Sequence, residues 1–366
     1  MKNNSNKSLK EIFAEAVENY KKRNLKTAEN LCLKIRSIDP NHFDSIFLSA
    51  TIFAVNNNYE KAKELLHEAI EIQPKNESAH NNLGTAYKEL GNLKEAINYY
   101  QKVLKINPKH TNAHYNLGLI FYKMKELKKA KSYLKKTVEI QSNYAIAFFS
   151  LGNLHVDLKE YKYAISCYQK AIGLNSNILG AHNNLGLVFR KLNDFQNAVI
   201  CYKKAIQIKP EHAGTHHNLA LAFKELGEFE KAIASHQMAI KYEPENLSHY
   251  YYLSDLKKDI LNLNIKRRIE KIVKNDSSTK ANIAYGNYVL AKYEQKIKNY
   301  EKEFDYLIRG HQYFFDSKKD KFKLGIKYCF DEVLQISRGA NIRIQNNKKD
   351  YEIKPIFIVG VPRCGS

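Results

Sequence analysis

The stretch from Ala181 to Pro210, AHNNLGLVFRKLNDFQNAVICYKKAIQIKP, returns whenever the sequence is shifted by 34 residues. Forward lies AGTHHNLALAFKELGEFEKAIASHQMAIKYEP, which closes at Pro244; backward, units close at Ser176, Ser142, Pro108 and Pro74. Leu83, Leu117, Leu151, Leu185 and Leu219 share one position, and Gly84, Gly118, Gly152, Gly186 and Ala220 share the next. Ala96, Ala130, Ala164, Ala198 and Ala232 follow in register. A fixed period of this length predicts an array of helix–turn–helix units, each unable to bury its apolar face alone.

Within a unit the apolar residues recur at spacings of three and four, which puts them on one face of each helix. Leu185, Gly186 and Phe189 mark the first helix of the pair (helix A), and Ala198, Tyr202 and Ala205 the second (helix B). The small residues Gly186 and Ala198 imply that the two helices cross closely, with Phe189 and Tyr202 filling the space beside the crossing. Short polar breaks (ELGN, KMKE, DLKE, KLND, ELGE) separate the helices, with Gly91, Gly227 or Asn193 able to take a left-handed turn. Pro74, Pro108, Pro210 and Pro244 cannot continue helix B and stop it.

These residues resemble the tetratricopeptide repeat (TPR), and seven units agree in phase. The resemblance implies an all-α superhelical solenoid. The units run Leu9–Pro40, Phe43–Pro74, Glu77–Pro108, Thr111–Ser142, Ala145–Ser176, Leu179–Pro210 and Ala213–Pro244. Seven repeats over 9–244 give way to degenerate, TPR-like capping helices over 245–337, where Lys266 stands in place of the small helix-B residue. A worn pair is expected from about Ala284 to Ser317. One more basic helix follows from Lys318 to Ile336, with Phe322, Ile326, Phe330 and Val333 on one side. Residues 338–354 read as a polar connector.

The net charge is +21, and the excess is denser toward the end: residues 1–245 contribute +11 and 246–366 contribute +10. A basic surface favours anionic partners, although a Lys-rich and Asn-rich composition with lysines on outward helix faces explains most of it, and nucleic acid is not the expected partner. Five cysteines (Cys32, Cys167, Cys201, Cys329, Cys364) lie without paired spacing, which argues against a zinc site or disulfide framework and suits a reducing bacterial cytoplasm. The N-terminal stretch lacks the apolar core of a signal peptide, and no apolar run is long enough to span a membrane.

Two columns of the array carry chemistry. Asn82, Asn116, Asn184 and Asn218 share one helix-A position, with Ser150 between them. Amides there can bond an extended protein or peptide backbone in the concave groove of such an array. This arrangement resembles the repeats preceding O-linked N-acetylglucosamine transferases. His80, His114, His182 and His216 form the second column, with Phe148 in the remaining unit. Equivalent residues on successive helix pairs sit about 10 Å apart, whereas zinc needs nitrogens about 2 Å away, so the column reads as packing and no metal is expected.

The last stretch, Pro355 to Ser366 (PIFIVGVPRCGS), reads differently. Ile356 to Val359 has the continuous apolar character of a strand buried on both faces. Gly360 and Gly365 then frame a loop, but Ser366 stands where a nucleotide triphosphate loop requires Lys. The Pro-Arg-x-Gly-Ser sequence after an apolar strand is similar to the first binding loop of sulfotransferases that use 3′-phosphoadenosine 5′-phosphosulfate (PAPS). That resemblance implies that Arg363 contacts the phosphosulfate and that Cys364 replaces a serine. It also implies that Gly365 admits the phosphate to the backbone and that Ser366 supplies amide and hydroxyl donors. Residues 355–366 would then open a sulfotransferase domain truncated at its phosphate loop, inactive alone, with its catalytic base unknown. Two alternatives stay open: a non-enzymatic TPR scaffold, and the TPR region of an O-linked N-acetylglucosamine-type glycosyltransferase.

Overall fold

The computed structural model describes residues 8–318. Those residues form eighteen α-helices and one short 3-10 turn, and no strand occurs among them. The expected helix from Lys318, the connector, the terminal strand Ile356–Val359 and the loop Arg363–Ser366 lie outside the described residues.

Seven helix pairs follow in order: α1 (Leu9–Lys21) with α2 (Leu25–Ile38), α3 (Phe43–Val55) with α4 (Tyr59–Ile72), and α5 (Glu77–Glu89) with α6 (Leu93–Ile106). Next come α7 (Thr111–Lys123) with α8 (Leu127–Ile140), α9 (Ala145–Asp157) with α10 (Tyr161–Leu174), α11 (Leu179–Lys191) with α12 (Phe195–Ile208), and α13 (Ala213–Glu225) with α14 (Phe229–Tyr242). Beyond them lie α15 (Leu247–Leu256), the 3-10 turn Lys258–Ile260, α16 (Leu263–Val273), α17 (Lys280–Lys296) and α18 (Tyr300–Ser317). The chain divides into two compact units after Asn184, inside α11. Within each unit the two helices of a pair pack antiparallel, and each pair packs on the next.

Every pair turns through the same backbone conformation. Arg23, Asn57, Gly91, Lys125, Lys159, Asn193 and Gly227 all have positive φ, between 59° and 83°, and stand 34 residues apart. Only two are glycine, so the turn geometry is set by helix packing and imposed on whatever residue occupies the place. Left-handed backbone costs a non-glycine residue about 1–2 kcal/mol, and lysines bear that cost at 125 and 159.

The glycines of helix A are small for a more specific reason than helix crossing. A Cβ on Gly186 would lie 2.6 Å from the Tyr202 ring, one on Gly152 2.6 Å from Tyr168, and one on Gly84 3.0 Å from Tyr100. The helix-B residue sixteen positions later lies against the glycine backbone, and these tyrosines are fully buried. In the seventh pair Ala220 fills the position and the facing residue is the smaller His236, also fully buried.

Helix B ends two residues before the proline, at Ile72, Ile106, Ile208 and Tyr242. It ends at the same phase, at Ile140 and Leu174, where serine replaces proline. The residue after each last helical position is extended or nearly so, for example Asn107 (φ −132°, ψ 94°) and Asn175 (φ −149°, ψ 102°). Proline reinforces a stop that the repeat makes without it.

In the second unit Lys266, at the helix-B position otherwise occupied by alanine, donates to Glu294 of α17 at 2.5 Å. Glu294 is 1% exposed. A buried charge is tolerable only when paired, and here the pair replaces the close alanine contact. The start of α17 is Lys280, four residues before the expected position, because Thr279 caps it by accepting from the Asn282 N–H at 3.2 Å. Asn282 also ties α17 to α15, accepting from Leu247 N–H at 2.7 Å and donating to the Glu245 carbonyl at 2.8 Å.

Candidate functional site

The histidine column bonds backbone. His80 Nε2 lies 2.8 Å from the Pro74 carbonyl, His114 2.9 Å from Pro108, His182 3.0 Å from Ser176, and His216 2.7 Å from Pro210. A carbonyl only accepts, so each histidine donates from Nε2, which fixes its tautomer. The bond satisfies a carbonyl just beyond the end of helix B, and in the next unit the Tyr250 hydroxyl donates to the Pro244 carbonyl in the same way, at 3.2 Å. Among the described residues no cluster of His, Cys, Asp or Glu is arranged to hold a metal ion.

The amide column is arranged otherwise. In the first unit Asn82, Asn116 and Asn184 are half-buried on helix A, and Ser150 is buried. Asn184 Nδ2 donates to Asn153 Oδ1 at 2.8 Å, and the Tyr168 hydroxyl donates to the same oxygen at 2.7 Å. Ser150 Oγ lies 3.2 Å from the Tyr115 hydroxyl, one helix pair back. Asn82 Oδ1 accepts a long bond from Asn81 at 3.4 Å, which leaves its own N–H donors unused. The Asn116 amide makes no hydrogen bond among the described residues. The structure therefore brings the four positions onto equivalent places of successive helices, but commits only some of them internally.

In the second unit the column changes chemistry. Asn218 is followed, 34 residues on, by Tyr252, and His217 by Tyr251. Tyr251 and Tyr252 meet Tyr285 at ring-centroid distances of 5.5 and 6.2 Å, and Tyr251 meets Tyr288 at 5.9 Å. Burial raises the phenols of Tyr251, Tyr285 and Tyr288, the last to about 12, so these three hydroxyls stay neutral. Lys292 Nζ lies 3.8 Å from the centre of the Tyr251 ring and 2.5 Å from Asp255 Oδ1, and desolvation draws its pKa down. The sequence reading had no place for this tyrosine cluster, although its signal was the 34-residue step from Asn218 to Tyr252.

Beneath that cluster three imidazoles pack together: His217 lies 5.3 Å from both His236 and His249. Neither nitrogen of His236 has a hydrogen-bond partner. Burial lowers the pKa of His217 to about 4 and of His236 to about 3. The described cysteines Cys32, Cys167 and Cys201 are free thiols that burial pushes up to about 11. They are not poised nucleophiles.

Models described as tetratricopeptide repeat match residues 111–144, 145–178, 180–212 and 201–234, and one described as TPR repeat matches 84–125. The chain is a tetratricopeptide-repeat protein. A model described as anaphase-promoting complex, cyclosome, subunit 3 also matches residues 21–103 of the TPR chain. Among solved structures, the TPR chain is similar to the C-terminal part of a TPR repeat-containing protein from Cytophaga hutchinsonii. That match has 18% identity and a TM-score of 0.54, and covers 65% of this chain and 98% of that one. Pseudomonas aeruginosa pilF follows at 20% identity and TM-score 0.52, covering 58% and 97%. Both likenesses show the fold. A MamA protein is 27% identical over 48% of this chain and 95% of that one, with a TM-score of 0.44. No curated protein matches the chain. Among the described residues no helix is long and apolar enough to cross a membrane.

Proposed function

We propose that the chain is a protein-interaction array that holds an extended peptide segment along helix A of successive repeats, through Asn82, Asn116, Ser150 and Asn184. The observation that carries this reading is the Asn116 amide, half-buried at the centre of the column and uncommitted within the protein. An amide offers both a donor and an acceptor, which is what a peptide group requires, and it does so without reading side chains. Asn218 holds the same place in the second unit.

The test uses peptides selected on the intact protein from a random library. Asn82→Ala with Asn116→Ala removes two such contacts, each worth about 0.5–1.5 kcal/mol net. Binding should weaken about tenfold or more, while the urea midpoint stays within experimental scatter because neither side chain braces a neighbouring repeat. Equal binding by the double variant would leave the amides as solvated positions.

A second reading concerns residues 355–366, and its support is their sequence. An apolar run followed by Pro-Arg-Cys-Gly-Ser suits capture of a phosphosulfate by backbone N–H groups and the Arg363 guanidinium. On this reading the array presents an acceptor protein to a PAPS-dependent sulfotransferase domain that Arg363, Cys364, Gly365 and Ser366 begin.

A further inference from the structure

The junction between α16 and α17 departs from the repeat. Helix α16 has 11 residues, where α14, the helix B before it, has 14. The connector 274–279 is longer than its counterparts 107–110 and 243–246. Most of a helical turn is thereby replaced by loop, and a cavity of about 760 Å³ lies between α16, this connector, α17 and α18. That volume is within the usual range of small-molecule sites. Helix α17 lines it with Ile283, Asn287 and Leu290, at steps of four and three, and α18 with Tyr306, Arg309 and Tyr313, at steps of three and four. Each helix therefore turns one face to the cavity. Asn287, 2% exposed, is the one fully buried asparagine among the described residues. Its Nδ2 donates to the Ile283 carbonyl at 2.8 Å, which fixes the orientation of the amide, and its Oδ1 accepts no bond among the described residues. A buried acceptor left idle is disfavoured. At the rim Lys274 and Arg309 are exposed and form no ion pair among the described residues, while Lys280 is paired with Asp316 at 3.2 Å. The carboxylates lining the cavity are Asp276 and Glu270, the latter 3.5 Å from the Tyr306 hydroxyl and 4.0 Å from Lys266 Nζ.

We infer that this cavity binds a small anionic heteroaromatic molecule of the mononucleotide class. Asn287 Oδ1 requires a donor, which the exocyclic amino group of a base supplies. Ile283 and Leu290, with the phenol rings of Tyr306 and Tyr313, suit the faces of a flat ring. Lys274 and Arg309 suit a phosphate, which a guanidinium can hold through two N–H groups at once. A fatty acid would satisfy the rim but leave the buried amide idle, and a neutral base alone would leave the rim cations unused. None of Asn82, Asn116, Ser150 and Asn184 lines the cavity, so the inference is independent of the peptide reading.

Isothermal titration of the intact chain tests the assignment with three probes: adenosine 5′-monophosphate (AMP), adenosine, and purine riboside 5′-monophosphate, which lacks the amino group. AMP should bind about tenfold more tightly than adenosine and about threefold to tenfold more tightly than purine riboside monophosphate. Lys274→Gln with Arg309→Gln should remove the first difference and leave the urea midpoint unchanged, because both side chains are exposed and unpaired among the described residues. Asn287→Ala should remove the second difference only. Should Asn287→Ala fail to fold, the rim variant still decides. No heat from AMP at millimolar concentration would overturn the inference, as would AMP binding that neither variant weakens. Tighter binding of oligoadenylate than of AMP would also overturn it, because the surface would then serve a nucleic-acid strand.

Discussion

Gly186→Ala is the substitution whose outcome most directly tests how these repeats are held together. The added methyl would lie 2.6, 2.9 and 3.0 Å from three atoms of the Tyr202 ring, where carbon atoms prefer about 3.5–4 Å. Tyr202 is 0% exposed, so the ring has nowhere to swing, and overpacking of this kind costs about 1–3 kcal/mol. Replacing glycine by alanine inside a helix returns about 1 kcal/mol, so the net loss should fall between about 0 and 2 kcal/mol. Gly173 of α10 separates the two effects: a Cβ there meets nothing within 4 Å, so Gly173→Ala should only stabilise. The seventh pair, Ala220 facing His236, supplies the remedy. Adding Tyr202→His to Gly186→Ala should give a coupling energy of about 1–2 kcal/mol in a double-mutant cycle. Urea denaturation followed by far-UV circular dichroism reads the parent and all four variants. If Gly186→Ala stabilises as much as Gly173→Ala, the ring contact does not set the residue, and the packing argument fails.

Acid should weaken the second unit, because His217 and His236 are held neutral, with pKa values lowered from 6.5 to about 4 and about 3, chiefly by burial. Arg190 and Lys224 oppose their protonation, Glu243 favours it, and His249 and the phenol of Tyr252 complete the surroundings. The unfolded chain binds the protons the folded one refuses, so this stability is complete above about pH 7.5 and falls as pH drops through 6.5. The two together should cost about 4 kcal/mol at pH 5. His236→Phe should halve the slope of the urea midpoint against pH, and an unchanged slope would count against the cluster. Lys159→Gly should stabilise by roughly 0.5–1 kcal/mol, measured by thermal unfolding, because the φ of 59° there costs a lysine more than a glycine. In a protein extended through a complete domain past Ser366, Arg363→Ala should cut sulfate transfer from radiolabelled PAPS by tenfold to a hundredfold, with Arg363→Lys between. Undiminished transfer by the alanine variant would remove the donor-loop reading.

The 34-residue period made the helix pairs legible, because it repeats whatever packing requires. What it hid depends on distances between repeats. Nothing in the local sequence marks Lys125 or Lys159 as left-handed; only their phase with Gly91 and Gly227 does, since the turn is imposed by the helices on either side. The histidine column was separable from a metal site by spacing alone. Its bond to the carbonyl six residues earlier required the fold, because that carbonyl belongs to the end of the preceding helix. Asn184 was read as facing the groove with its partners. Its bond to Asn153 could not be foreseen, since Asn153 is one unit back and leucine or threonine fills that phase in its neighbours.

The columns divide by what satisfies them, and that division argues for where a partner binds. A residue type that returns at one phase because the fold needs it should find its partner inside the protein. The histidines do, each on a carbonyl, and where the type changes to Tyr250 the bond persists. The glycines do, each against a helix-B side chain, and where the type changes to Ala220 the opposing residue shrinks. The amides do not follow this rule. Asn184 reaches Asn153, whereas Asn116 recurs at the same phase with no bond among the described residues. An internal bond that serves one member of a column cannot be the reason for the column. A half-buried amide with no partner among the described residues stays open to water or to a ligand, and a peptide group would offer it a donor and an acceptor together.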